Sequence, residues 1–263
     1  WEDILQNQEI DAVVIAAPAV LHAKLGLEAI AAGKHVYVEK PLALTMDDAH
    51  ELVNAAKDKG RKLMVGHLLQ YHLVFVKLRE MVQGGELGNL QYVYSNRMSL
   101  GKFRSEENVL WSFAPHDISM ILSLAQQAPY HVEAFGGSYL LEGIADNCLV
   151  KMAFPNGVKA HIQASWLHPF KEHRIVVVGD KAMAVFEDTR SWNEKLALYP
   201  HNIDKSAVPY VPQKADAVFI DVEEDEPLKC ECAHFLNTIA TDSVPQTDGE
   251  EGLRVLDVLQ KAE

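Results

Sequence analysis

The strongest constraint on the fold is a regular alternation of short apolar runs and helical patterns over the first ~90 residues. Continuous apolar runs such as Asp11–Ala17 are typical of strands that are buried on both faces. The predicted strands are Asp11–Ala17, His35–Glu39 and Lys62–Gly66, and the predicted helices are Val20–Ala32, Thr45–Gly60 and Tyr71–Gln83. This order predicts parallel strands with right-handed crossovers, as in a doubly wound Rossmann-type sheet.

The pattern changes at Gly84–Gly88, after which the chain becomes rich in strands. Turn signals such as Pro155-Asn156-Gly157 separate neighbouring strands and predict hairpins. The predicted strands are Leu90–Ser99, His131–Leu140, Asn147–Phe154, Val158–Trp166, Arg174–Val178, Ala182–Glu187 and Lys195–Tyr199, and the predicted helices are Pro115–Ala125, Pro227–Thr241 and Asp248–Lys261. The fold class is therefore α/β: a partial Rossmann domain over residues 1–88, then an α+β domain over residues 89–263 with a large, mostly antiparallel sheet.

Composition excludes several classes of partner. The formal net charge of -13 disfavours nucleic acid and anionic membranes, which both require a basic face. No apolar run approaches the ~18 residues of a membrane span. Three cysteines form no disulfide framework and indicate a reducing, cytoplasmic location. Cys230-x-Cys232 has no second ligand pair at zinc spacing, so no metal site is predicted.

The most informative short motif is Glu39-Lys40-Pro41, directly after a predicted parallel strand. Ligands of open α/β sheets bind outside the carboxyl ends of the strands. A lysine there can donate hydrogen bonds to a substrate hydroxyl and stabilise a developing alkoxide. The residues alone leave a second interpretation open, in which Lys40 is a solvated loop lysine paired with Glu39.

A second motif, Ala16-Ala17-Pro18, follows the preceding strand and leads into a helix. Small residues let the backbone approach a ligand, and a helix N-terminus offers free N–H groups. His22 follows in the first turn, where it is either an ordinary helix residue or a ligand contact.

These segments together resemble the family of glucose–fructose oxidoreductase and inositol dehydrogenase (Gfo/Idh/MocA). The resemblance covers the whole chain and is best over Asp11–Pro18, His22-Ala23 and Ala32–Leu42, the last reading Ala-Gly-Lys-His-Val-Tyr-Val-Glu-Lys-Pro-Leu. It implies that Lys40 is catalytic and lies between nicotinamide and substrate. It also implies NAD as cofactor, with NADP not excluded. The implied cofactor-binding residues are Ala17, Pro18, His22, Glu39 and Lys40.

The family's second motif is an acid followed four residues later by a histidine at the start of a helix, and it corresponds to Trp111–Ile118. The resemblance implies that His116 is the catalytic base, since imidazole can take a hydroxyl proton near neutrality. Ser112 stands where the family commonly has aspartate. Asp117 is expected to orient His116 or contact substrate.

A third cluster narrows the expected substrate. The segments Gly66–His72, Ser95–Arg97 and Gly101–Asn108 resemble the family branch that oxidises C3 of UDP-linked N-acetylhexosamines or their uronic acids. The cationic side chains can hold a diphosphate or a carboxylate. A basic surface loop balanced by Glu106 and Glu107 is the alternative. The predicted substrate-binding residues are Tyr71, Asn96, Arg97, Lys102, Arg104 and Asp117.

The glycine-rich fingerprint Gly-x-Gly-x-x-Gly is not in this sequence. In a dinucleotide-binding fold it follows the first strand, so roughly 60–70 further residues are expected before Trp1. The chain is then either a fragment or a degenerate relative. A dehydrogenase acting on a sugar or sugar nucleotide is therefore weighed against a non-catalytic sugar-binding or assembly subunit that keeps the fold.

The resemblance also implies a homo-oligomer, a dimer or tetramer that packs through the broad sheet face. Apolar residues such as Trp166 and Val176 are expected to lie on that face.

Overall fold

The computed structural model describes residues 1–101 and 103–263. The α-helices are α1 (Glu2–Gln6), α2 (His22–Ala31), α3 (Met46–Asp58), α4 (Leu73–Gln83), α5 (Val109–Ala125), α6 (Pro227–Ala240) and α7 (Gly249–Ala262). The strands are β1 (Ala12–Ile15), β2 (His35–Glu39), β3 (Leu63–Gly66), β4 (Leu90–Met98), β5 (His131–Gly137), β6 (Asn147–Ala153), β7 (Lys159–Ser165), β8 (Glu172–Gly179), β9 (Met183–Glu187), β10 (Leu196–Tyr199), β11 (Asn202–Asp204), β12 (Val211–Gln213) and β13 (Val218–Phe219). No helix among the described residues is long and apolar enough to cross a membrane.

The first compact unit contains Trp1–Tyr71 and Glu226–Gln260. Its sheet has the order β1-β2-β3, and both strand pairs are parallel. The predicted Rossmann-type sheet is thereby confirmed. β1 differs from the prediction in one respect, because Val14 is 59% exposed whereas Val13 and Ile15 are buried. Among the described residues, β1 is therefore packed on the face that carries Val13 and Ile15.

Helices α6 and α7 cover opposite faces of this sheet. Phe235 of α6 packs edge-on against Tyr37, with ring centroids 5.8 Å apart, in a buried cluster that includes Met64. On the other face α7 approaches so closely that a Cβ added to Gly252 would lie 2.8 Å from Val65. Glycine is therefore required at this contact.

The contact-defined units differ from the predicted division at residues 88 and 89. Helices α6 and α7 group with the first unit, although they follow the second unit in sequence, and α4 groups with the second. Sequence order alone cannot show that a late helix returns to an early sheet.

The second unit contains His72–Asp225 and residues 261–263. Its eight-stranded sheet has the order β13-β10-β9-β8-β4-β7-β6-β5. Every pair is antiparallel except β4 with β7, so the mostly antiparallel sheet is confirmed. The sequence analysis missed β11, β12 and β13, which are only two or three residues long and too short for an alternating pattern to show.

Strand β4 has two chemically different faces. Ser95 and Arg97 lie on the face that meets α5, because both side chains bond to Asp117 of that helix. Tyr94 and Asn96 alternate onto the opposite face. The neighbouring substrate-binding predictions Asn96 and Arg97 therefore point to opposite sides of the sheet.

Helix α5 begins six residues earlier than predicted. Asn108 caps it by accepting a hydrogen bond from the Trp111 N–H, at 3.2 Å. Pro115, which was interpreted as the first helical residue, is inside the helix. His116 is therefore the eighth of 17 helical residues and is not at the helix start.

Trp166 and Val176 are not free surface residues. Trp166 is 2% exposed and lies edge-on to the rings of Phe113 and Phe103, at 6.5 and 6.4 Å. Val176 is 8% exposed. For Trp166 the expectation of an outer sheet face was wrong, because Phe113 of α5 and Phe103 of the preceding loop lie against its ring. Val176 is paired with Tyr94 and lies on the same face of the sheet as that residue.

Candidate active site

The residues after the first unit's strands meet at one edge of its sheet. Lys40 follows β2 directly, Ala17 and Pro18 follow β1, and His67 follows β3. Because these strands are parallel, their carboxyl ends lie together, where ligands of open α/β sheets bind. Lys40 is half-buried. The predicted catalytic lysine and the predicted cofactor residues are therefore brought to the same edge.

Glu39 lies across the end of β3 because its partner in the sheet is glycine. Glu39 and Gly66 are opposite each other in the parallel pairing. A Cβ added to Gly66 would come within 2.9 Å of the Glu39 Oε2 and 3.2 Å of its Cα. Any larger residue at position 66 would displace Glu39.

His22 is buried, at 1% exposure. Its Nδ1 lies 2.7 Å from the carbonyl oxygen of Pro41, and its Nε2 lies 2.9 Å from that of Ala17. Both ring nitrogens are engaged with backbone, so His22 ties together the loops that follow β1 and β2.

This edge fits the nicotinamide part of a dinucleotide. Ala16 and Pro18 are exposed and small, which leaves the backbone after β1 open to a flat ring. Gly66 has no side chain, and a Cβ at this position would collide with Glu39, so the end of β3 stays open. The residues that would hold the ring are Ala17, Pro18, Glu39 and Lys40. The glycine-rich motif that cradles a pyrophosphate is not among the 263 residues.

Two buried polar pairs near this sheet were not foreseen. Nδ1 of His67, which follows β3, contacts the carboxylate of Glu251 in the first turn of α7. Glu231 of α6 is 1% exposed and lies beside Tyr37 and Glu39. The sequence could have indicated His67, because it directly follows a predicted strand. It could not indicate the acidic partner of His67, which is 184 residues away in the chain.

The pKa of Glu231 is raised to about 7: burial raises it most, the Tyr37 hydroxyl partly offsets this, and the negative charge of Glu39 adds a smaller increase. Burial, followed by the charge of Glu231, raises the pKa of Tyr37 in turn.

In the second unit, His116 is half-buried on α5. Ser112 is 8% exposed and precedes it by four residues, so the two side chains share one face of the helix, a turn apart. The spacing of four residues therefore places Ser112 beside His116 although neither residue is at the start of the helix. A hydroxyl therefore stands where the resemblance implies a carboxylate.

Asp117 and Arg97, two predicted substrate-binding residues, bind each other. Asp117 is 1% exposed and accepts hydrogen bonds from the Arg97 guanidinium and the Ser95 hydroxyl. Nη1 of Arg97 also donates to Nδ1 of His173 at 3.4 Å. Burial, then the charge of Arg97, lowers the pKa of His173 to about 4. This placement favours a structural role, in which the pair fastens α5 to β4.

Asn96 lies on the opposite side of the sheet. Its Nδ2 donates to Oε1 of Glu172 at 2.8 Å. It also lines an open cavity of about 730 Å³ with His131, Lys151 and His161. Tyr94 and His161 stack on this face, with ring centroids 5.3 Å apart.

The remaining predicted substrate residues are placed as follows. Tyr71 is buried, and its hydroxyl bonds to Oγ1 of Thr247 at 2.8 Å. Arg104 is exposed and pairs with Glu107 at 3.1 Å. Lys102 lies outside the described residues. The catalytic, cofactor-binding and substrate-binding roles of these residues stay predictions.

Comparison with known proteins identifies the family. Residues 1–67 match the model of an oxidoreductase family with an NAD-binding Rossmann fold (GFO_IDH_MocA). Residues 75–185 match the GFO/IDH/MocA C-terminal domain.

Two relatives align along most of the chain. UDP-N-acetylglucosamine 3-dehydrogenase of Acidithiobacillus ferrooxidans is 29% identical over 257 residues, which is 94% of this chain and 76% of the relative. Oxidoreductase YrbE of Bacillus subtilis is 24% identical over 97% of this chain and 75% of its own. A crystal structure of the Acidithiobacillus enzyme superimposes with a TM-score of 0.86, at 26% identity over 99% of this chain and 80% of that one. The chain therefore belongs to the GFO/IDH/MocA family of NAD(P)-dependent oxidoreductases.

Proposed function

We propose that this oxidoreductase transfers a hydride between NAD and C3 of a UDP-linked N-acetylhexosamine or its uronate. The observation that carries the proposal is the similarity to a UDP-N-acetylglucosamine 3-dehydrogenase across both units of the chain. The position of Lys40 at the carboxyl end of the parallel sheet agrees with this chemistry.

In the proposed reaction Lys40 and His116 have separate roles at the reacting hydroxyl. NAD, if held by Ala17, Pro18, Glu39 and Lys40, would supply the hydride acceptor for the carbinol carbon. Lys40 donates a hydrogen bond to the reacting hydroxyl and stabilises negative charge on its oxygen. His116 takes the hydroxyl proton, so that a ketone, reduced cofactor and a proton result. Ser112, as a hydroxyl, supplies no negative charge to His116.

The test is absorbance of reduced cofactor with a panel of UDP-sugars. We expect turnover with a UDP-N-acetylhexosamine, and loss of about 10²–10⁴-fold in kcat for Lys40→Ala and His116→Asn. Lys24→Ala, which removes a lysine from α2 instead, is the control. Unchanged turnover in Lys40→Ala would exclude its catalytic role.

A second candidate function is a non-catalytic sugar-binding or assembly subunit. Ser112 in place of the usual acid favours it. Titration of NADH by fluorescence separates the two functions. UDP-sugar binding by the full-length protein without any cofactor binding would select this alternative.

We further propose a cytoplasmic homo-oligomer, a dimer or tetramer, that packs through the outer sheet face. The stacked Tyr92, Tyr94 and His161 and the 77%-exposed Phe135 lie on this face and support it. Sedimentation of the wild type and a Phe135→Glu variant tests the proposal. A wild-type monomer at micromolar concentration would refute it.

A further inference from the structure

Two loops at the carboxyl edge of the first unit's sheet are joined by one buried side chain. The carbonyl oxygens of Ala17 and Pro41 belong to the loops after β1 and β2, and both are within hydrogen-bond distance of the His22 ring, at 2.9 and 2.7 Å. His22 itself lies in the first turn of α2. Helix, first loop and second loop therefore meet at a single imidazole.

The imidazole is suited to this bridge by its shape. It is rigid and its two nitrogens diverge, so one side chain reaches two carbonyl oxygens that belong to different loops. An N–H donates to one of them, and only the ring that carries both protons donates to both. A glutamine amide donates from one nitrogen only and can keep one of the two contacts. At 1% exposure, water cannot replace the lost partner without opening the packing.

The bridge ends one residue from the predicted catalytic lysine. Pro41 follows Lys40, and the chain beyond it is fixed because Leu42 and Ala43 are each 1% exposed. The Pro41 carbonyl is thus held by His22, and the buried Leu42 and Ala43 follow it in the loop that leads to α3. The backbone that carries Lys40 has little freedom to shift relative to Ala17 and Pro18.

We propose that His22 is a positioning residue that sets the distance between the nicotinamide-binding loop after β1 and the Lys40 loop after β2. This role rests on the function proposed above. It replaces the sequence-based prediction that His22 binds the cofactor directly, because both ring nitrogens are occupied by backbone oxygens.

The test compares His22→Gln with His50→Gln, which alters an exposed histidine on α3 of the same unit. We expect His22→Gln to lower kcat about 10- to 100-fold, as small misplacement of a catalytic group does. The Kd for NADH should stay within about threefold, since no cofactor contact is removed. A raised Kd with unchanged kcat would show direct cofactor binding and overturn the proposal.

A double-mutant cycle tests whether His22 acts through Lys40. Adding His22→Gln to Lys40→Ala should reduce turnover by less than about threefold beyond Lys40→Ala alone. If the two losses multiply, His22 acts independently of Lys40 and the proposal is wrong. A purely structural defect would also multiply, so the cycle separates positioning from general damage.

A readout without substrate keeps this inference separable from the proposed function. Amide hydrogen exchange should become faster in residues 16–21 and 39–44 of His22→Gln, and should be unchanged in His50→Gln. Unchanged exchange in both loops would overturn the bridge even in an active enzyme. If the wild type turns over no UDP-sugar while exchange rises as expected, the proposed function fails and the bridge stands.

Discussion

Replacing Glu231 by glutamine should stabilise the first unit in a pH-dependent way. The carboxyl group is 1% exposed on α6, and its pKa is raised from the ordinary 4.5 to about 7, chiefly by burial. In the unfolded chain the group ionises at its ordinary pKa. Between the two pKa values the unfolded state therefore binds fewer protons than the folded state, and stability falls as pH rises through this window.

The magnitude follows from the two pKa values. At 1.36 kcal/mol for each pKa unit, ionisation of Glu231 costs the folded state about 3 kcal/mol above about pH 7. Glu231→Gln has nearly the same shape and cannot ionise. We expect wild type and variant to have similar free energies of unfolding near about pH 4.5, and the variant to be about 3 kcal/mol more stable near about pH 8.5.

Chemical denaturation at a series of pH values measures this difference. Glu51→Gln, which removes an exposed carboxyl from α3 of the same unit, is the matched control and should follow the wild-type curve. Tyr37→Phe should steepen the loss of stability with pH, because the Tyr37 hydroxyl lowers the pKa of Glu231. A stability difference between wild type and Glu231→Gln that is the same at every pH would refute the reasoning.

Three further outcomes are expected. The pKa of His173 is lowered to about 4, so the free energy of unfolding of the wild type relative to His173→Gln should rise with pH between about 4 and 6.5 in the same denaturation series. Arg97→Ala leaves the buried Asp117 carboxylate without its cation and should lower the free energy of unfolding by about 3–5 kcal/mol, measured in urea. Burial raises the pKa of the Cys148 thiol to about 12, so native alkylation followed by mass spectrometry should modify Cys230 well before Cys148; equal rates would contradict this.

The alternating pattern of the first ~90 residues predicted the parallel sheet because buried strands and amphipathic helices differ in period. Lys40 could be placed for the same reason, since a residue directly after a parallel strand lies at the ligand-binding edge whatever surrounds it. These features depend on local sequence, and local sequence was enough to find them.

Features that depend on distant residues could not be found in this way. Nothing near Glu231 indicates that α6 returns to Tyr37, and nothing near Arg97 indicates that Asp117 will neutralise it. Arg97 was therefore predicted to hold a diphosphate or a carboxylate of the substrate. The start of α5 was misplaced because Pro115 is a strong local signal for a first helical turn, whereas the Asn108 cap is a weaker one.

The return of α6 and α7 to the first sheet has a consequence for synthesis on the ribosome. The face that carries Tyr37 and Met64 is made early, but its cover, Phe235 of α6, is translated roughly 170 residues after Met64. The second unit's sheet, whose strands end at Phe219, is complete in the nascent chain before that helix emerges. The unit that begins the chain is therefore the last to acquire its full core.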